Sequence, residues 1–121
     1  MIKNISKSKT IIRKHKVADN VFSRGFGLMF SKKSSFDYGL VFDLGRETTA
    51  GAGLHMFFVF YQINVIFLDS KKRVVDIKEG FKPFTIYNTQ KKCRYLIELP
   101  LEINTKYYSI KDKISWDWLK K

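Results

Sequence analysis

The chain has 121 residues, 45% of them hydrophobic and 16% aromatic, with two prolines and one cysteine. That length and apolar content exclude a disordered chain and are enough for one domain with its own core. The lone Cys93 excludes an internal disulfide and a cysteine-rich metal site, while a net charge of +12 creates a field that draws nucleic acid or an acidic partner without naming either.

The charge is uneven. Residues 1–16 carry six basic residues and no acid, residues 17–70 carry four basic and five acidic, and residues 71–121 carry thirteen and six. A neutral apolar middle therefore lies between two basic ends. The longest apolar stretch, 54–68, runs about 15 residues and is interrupted by His55, Gln62 and Asn64, short of the roughly 20 that span a bilayer. The N-terminus is basic without an apolar segment of signal-peptide length, so a cytoplasmic location is expected.

Read in chain order, residues 1–9 look like a flexible basic arm on a single domain of residues 1–121, and a first strand runs from about Lys9 to His15. Asp19-Asn20 offers a helix cap, with Val21, Phe22 and Phe26 at helical spacing before Gly27 ends the turn or two. Tyr38–Phe42 reads as a strand and Gly45–Gly53 as a loop. Leu54–Phe60 and Ile63–Leu68 are apolar on both faces, the pattern of strands buried on both sides. Asp69–Lys72 is a turn into the half-exposed strand Arg73–Lys78, the clearest hairpin in the chain. Arg94–Leu99 is another strand stopping at Pro100, followed by a short helix around Glu102–Tyr108 and an edge strand at Lys113–Trp116. The expected fold class is mainly β: an antiparallel sandwich or irregular, jelly-roll-like barrel with one or two short helices.

Motifs for chemistry are sparse. Arg24-Gly25-Phe26-Gly27 imitates the start of an RNA-recognition signature, but Leu28 and Ser31 stand where aromatics are needed. Too few residues precede it to build the earlier strands of that fold. Gly51-Ala52-Gly53 lacks the lysine of a phosphate loop. His15 sits among Arg13, Lys14 and Lys16, where a metal ion would be repelled. Cys93, flanked by Lys91, Lys92 and Arg94, would be activated if exposed, and reads more simply as a small core residue. No catalytic set, metal site or cofactor is expected. The unusual polar residues are His55, Gln62 and Asn64 in an apolar hairpin; with Arg24 and Met29 they are the candidate lining of a small ligand pocket.

The ordered blocks Gly27-Leu28-Met29-Phe30, Gly39–Phe42, His55–Phe60, Ile63–Asp69, Arg73-Val74-Val75 and Tyr95–Pro100 resemble the prokaryotic domain-of-unknown-function family 192. The likeness covers about residues 10–116 and is greatest to archaeal members. It implies a compact β-rich fold of barrel or jelly-roll type, and no established activity. Two departures stand out. Gln62-Ile63-Asn64 replaces the family's Pro-hydrophobic-Asp, which points to a structural hydrogen-bonding role for Asn64. Lys72 replaces a turn glycine and must take a left-handed conformation or a different turn.

Three functional classes follow. The first is a non-catalytic binding or interaction module. The second is a nucleic-acid binder using basic ends interleaved with Tyr87, Tyr95, Tyr107, Tyr108 and Trp116. The third is an enzyme using His55 as acid or base.

Overall fold

The structure, a computed structural model, describes residues 1–18, 33–48, 54–55, 61–83, 85–87 and 89–117. Its strands in chain order are β1 (Ile2–Asn4), β2 (Lys9–Ile12), β3 (His15–Ala18), β4 (Gly39–Thr48) and β5 (Leu54–His55). They continue as β6 (Ile63–Leu68), β7 (Val74–Phe81), β8 (Ile86–Tyr87), β9 (Cys93–Pro100) and β10 (Ile114–Trp116).

Every residue of β6 is buried, as its unbroken apolar run requires. The strand lies inside a five-stranded sheet ordered β3-β4-β9-β6-β7. Alternation sends Ile63, Val65 and Phe67 to one face, where they meet Phe36, Leu40, Phe42, Phe81 and Leu96. Ile66 and Leu68 go to the other face with Val41, Tyr95, Ile97 and Leu99. On that second face a three-stranded sheet, β10-β1-β2, contributes Ile2, Ile11, Ile114 and Trp116 to the same cluster. Two sheets packed over a shared apolar layer make a sandwich, and both sheets are open rather than closed into a barrel. All the sheet pairs are antiparallel except β3 with β4, which run parallel. A two-stranded ribbon, β5 with β8, is tied to the large sheet by the Tyr87 hydroxyl, which donates to the Asp76 carboxylate at 2.6 Å.

The mainly β class expected from the sequence is found, and several details differ. Residues 2–4, expected in a mobile arm, form the middle strand of the small sheet, with Ile2 and Asn4 fully buried and Lys3 exposed. The lysines drew attention away from this short alternation. Asn4 is satisfied inside: its Nδ2 donates to the Tyr107 carbonyl at 2.9 Å and to Asp112 at 2.7 Å. The predicted strand at 9–15 splits into β2 and β3, which belong to different sheets. Residues 45–48 of the expected loop belong to β4, which runs to Thr48 through Gly45 at φ +83°, and residues 49–53 lie outside the described residues. The helix at 102–108 is one 3-10 turn, Thr105–Tyr107, capped by the Asn104 side chain. The 69–72 turn is as read, with Lys72 left-handed at φ 65°. The helix expected at 19–27 and most of the strand expected at 54–60 lie outside the described residues.

Candidate functional site

At the edge of the large sheet, Arg13-Lys14 lead into β3, which carries His15-Lys16 past the start of β4, with His15 opposite Gly39 and Lys16 opposite Leu40. Strand alternation turns His15 inward, leaving it only 5% exposed. Its Nε2–H donates to the Asp117 carbonyl at 2.7 Å, and Nδ1 accepts from the Met1 amino group at 2.6 Å. These partners fix one tautomer and use both ring nitrogens.

Around this histidine opens a cavity of about 640 Å³, walled by Arg13, Lys14, Lys16, Ser35, Asp37, Tyr38, Met1 and Asp117. Lys14 pairs with Asp37 at 2.5 Å, and that hydrogen bond holds the Asp37 carboxyl below its ordinary range. The Lys16 ammonium lies 4.3 Å from the centre of the Tyr38 ring, a cation–π contact. Burial, and then the carboxylate of Glu98, push the Tyr38 phenol up.

Glu98 is the most unusual ionisable group of the described residues. It stands on β9 in phase with Leu96 and is flanked in register by Leu40 and Val65, with 8% of its surface exposed. Burial alone pushes its carboxyl up to about 8. Glu98 is not among the residues singled out from the sequence. Its signal was a single acid between apolar residues on a strand, Leu96-Ile97-Glu98-Leu99.

Of the residues singled out from the sequence, Asn64 and Gln62 meet at one point. A bulge at Glu79-Gly80 interrupts the β6–β7 register opposite Asn64, and Gly80 takes φ +60°. The Gly80 N–H donates to Asn64 Oδ1 at 2.9 Å, while Asn64 Nδ2 reaches the Leu101 carbonyl at 3.5 Å. The exposed Gln62 places its Oε1 over the same glycine. Asn64 shares its sheet face with Leu99, whereas Glu98 occupies the opposite face. His55 pairs through its backbone with Ile86, and its side chain lies outside the described residues, as do Arg24 and Met29. Cys93 is fully buried in β9, and burial pushes its thiol up to about 11, far from a reactive thiolate. Among the described residues no three His, Cys, Asp or Glu side chains converge as metal ligands, and no helix is long and apolar enough to cross a membrane.

The same sheet arrangement occurs in a protein of unknown function from Novosphingobium aromaticivorans, at a TM-score of 0.77 and 18% identity, covering 95% of this chain and 81% of that one. In sequence, the chain is 42% identical over 120 residues to a UPF0127 protein of Pyrococcus horikoshii, covering 96% of this chain and 98% of the relative. A UPF0127 protein of Thermococcus kodakarensis is 43% identical over 117 residues, covering 96% of this chain and 73% of the relative. The family model of DUF192, described as an uncharacterised ACR, matches residues 2–115, and the chain belongs to that family.

Proposed function

We propose that this protein is a non-catalytic binding module whose cavity at His15 receives a compact anion bearing carboxylate or phosphate groups. The observation that carries this reading is the charge on the cavity wall. Lys14 is matched by Asp37, and among the remaining lining residues Arg13 and Lys16 stand against Asp117. An anion entering there gains Coulomb attraction and charge-assisted hydrogen bonds at once. The volume lies within the roughly 300–1,000 Å³ of small-molecule sites. His15 enters the reading as a positioning group, because both its nitrogens are committed to the fold. Asn64 enters it as a support of the Gly80 bulge rather than as a ligand contact. The cytoplasmic location expected from the sequence belongs to the same reading.

Isothermal titration with inorganic phosphate and with citrate tests it. At least one of the two should bind with a Kd below about 1 mM, or roughly −4 kcal/mol. Lys16→Gln and Arg13→Gln should each weaken that binding about tenfold, the loss of roughly one charge-assisted contact. Absence of heat with both anions, or variants that bind as tightly as the unaltered chain, would overturn the proposal.

A further inference from the structure

The end of the sandwich opposite the His15 cavity is built from turns. Strand β6 ends there at Leu68, in register with Val74 and Tyr95, whereas its start at Ile63 pairs with Phe81 and Pro100 near the cavity end. The turn at 69–73, the segment entering β9 and the segment entering β10 meet at this pole. Arg73 bridges Lys113, the Ile114 N–H donates to the Lys72 carbonyl at 2.9 Å, and Ser70 bonds the carboxylate of Glu47 at the far end of β4. Their side chains gather six cations: Lys71, Lys72, Arg73, Lys92, Arg94 and Lys113. Lys72 is close enough to Lys113 and Arg94 that both add to burial in pulling its ammonium below the ordinary range. Lys92 and Lys71 reach the field of Glu47.

The acids of this pole are engaged by its own turns and by Arg94. Asp69 Oδ1 accepts the N–H groups of Lys71 at 2.9 Å and Arg73 at 3.0 Å. Glu47 accepts the Ser70 N–H and hydroxyl, and Asp43 accepts Arg94 and the Gly45 N–H. The carboxylates thus hold turns in place while the cations outnumber them at the surface. We infer that this basic pole is a nucleic-acid-binding surface that takes the phosphate backbone of a duplex without reading its sequence.

Two features favour a duplex backbone over other polyanions. Among the described residues the aromatic rings at this pole are Tyr95 and Trp116, 4% and 6% exposed and packed edge to face at 5.1 Å, beneath the Lys72 ammonium. Rings so buried offer no platform on which unpaired bases could stack, so these residues favour no single strand. The apolar side chains exposed in the neighbouring turns are Ile5 and Ile110, two aliphatic groups without an aromatic anchor. That is too little for insertion into a lipid surface. Closely spaced phosphates remain the partner that this cluster of cations matches.

Fluorescence anisotropy with a labelled 20-base-pair DNA duplex tests the inference. Binding at 50 mM NaCl should weaken steeply by 200 mM, with log K falling against log salt at a slope of about −4 to −5, as for roughly five phosphate contacts. The exposed pair Lys71→Glu and Lys92→Glu together should weaken binding at least about tenfold, following the same counterion argument. The control pair Lys33→Glu and Lys82→Glu, away from the pole, should leave most of it intact. Three results would each overturn the inference: no binding at 50 mM salt, equal losses from the two pairs, or tighter binding to the single strand than to the duplex. Vesicles of phosphatidylglycerol that bind while the duplex does not would assign the pole to a membrane surface and overturn it as well.

Discussion

Glu98 makes the stability of this protein depend on pH above the ordinary carboxylate range. Below its ordinary value of 4.5 the carboxyl is protonated in both the folded and the unfolded chain, and it contributes no pH dependence. Between 4.5 and about 8 the folded chain keeps the proton and the unfolded chain has lost it, so rising pH favours unfolding. Above that window both states are ionised and the dependence ends. The slope within the window is at most about 1.4 kcal/mol per pH unit. Glu98→Gln, which keeps the shape and removes the titration, should flatten the pH profile of urea unfolding between pH 5 and 8. It should also raise stability above that of the unaltered chain at pH 8. A variant with the same pH slope as the parent would show that Glu98 is ionised in the fold. Asn64 teaches a related lesson. Its identity was visible in the sequence as a polar residue in an apolar strand, but its partner, Gly80, lies 16 residues away across a bulge that no local pattern announces.

At the level of elements, the hairpin from β6 to β7 was the most legible part of the chain. An unbroken apolar run marked β6 and a half-exposed pattern marked β7, and Asp69 holds the turn by accepting backbone N–H groups two and four residues on. Of the two alternatives for Lys72, a left-handed backbone or a different turn, the structure shows the first, at φ 65°. A side chain there costs about 1–2 kcal/mol relative to glycine. Lys72 also covers Trp116 at 4.5 Å, so replacing it changes two things together. Comparing Lys72→Gly with Lys72→Ala separates them, because both variants lose the ammonium. The glycine variant should be more stable by about 1 kcal/mol, measured by the shift in urea midpoint. An alanine variant equal to or better than glycine would mean that the turn relaxes to another shape. The 102–108 segment was less legible: Asn104 caps a turn, but Pro100, Ile103 and the buried Tyr108 are held by tertiary contacts rather than helical repetition.

For the whole molecule, the decisive contact is where the small sheet meets the large one. Ile2 of β1 lies directly over Gly39 of β4, so that a Cβ at residue 39 would collide with Ile2 Cδ1. Gly39→Ala should therefore destabilise by about 1–3 kcal/mol through overpacking. Ile2→Val, which removes that methyl, should cost about 0.5–1.5 kcal/mol alone and recover part of the loss in the Gly39→Ala background. Additive losses in urea unfolding would indicate that the sheets part rather than repack. The same arrangement separates the two proposed sites. The anion cavity at His15 lies at the β4 start and the basic pole at the β6 end, so each can be altered without touching the other.

The sequence by itself determined the mainly β class, the buried strand β6 and the hairpin turn, because these rest on local hydrophobic pattern and on side chains acting on neighbouring backbone; it left the Lys72 backbone open between two conformations. The tertiary structure alone decided that residues 2–4 are a central strand, that His15 floors a cavity, that Glu98 is buried in the sheet, and that cations far apart in sequence share one pole. Burial and Coulomb fields depend on distances in space. Ser70 and Glu47, or Asn4 and Asp112, lie far apart in sequence and are brought together by the pairing of strands within a sheet.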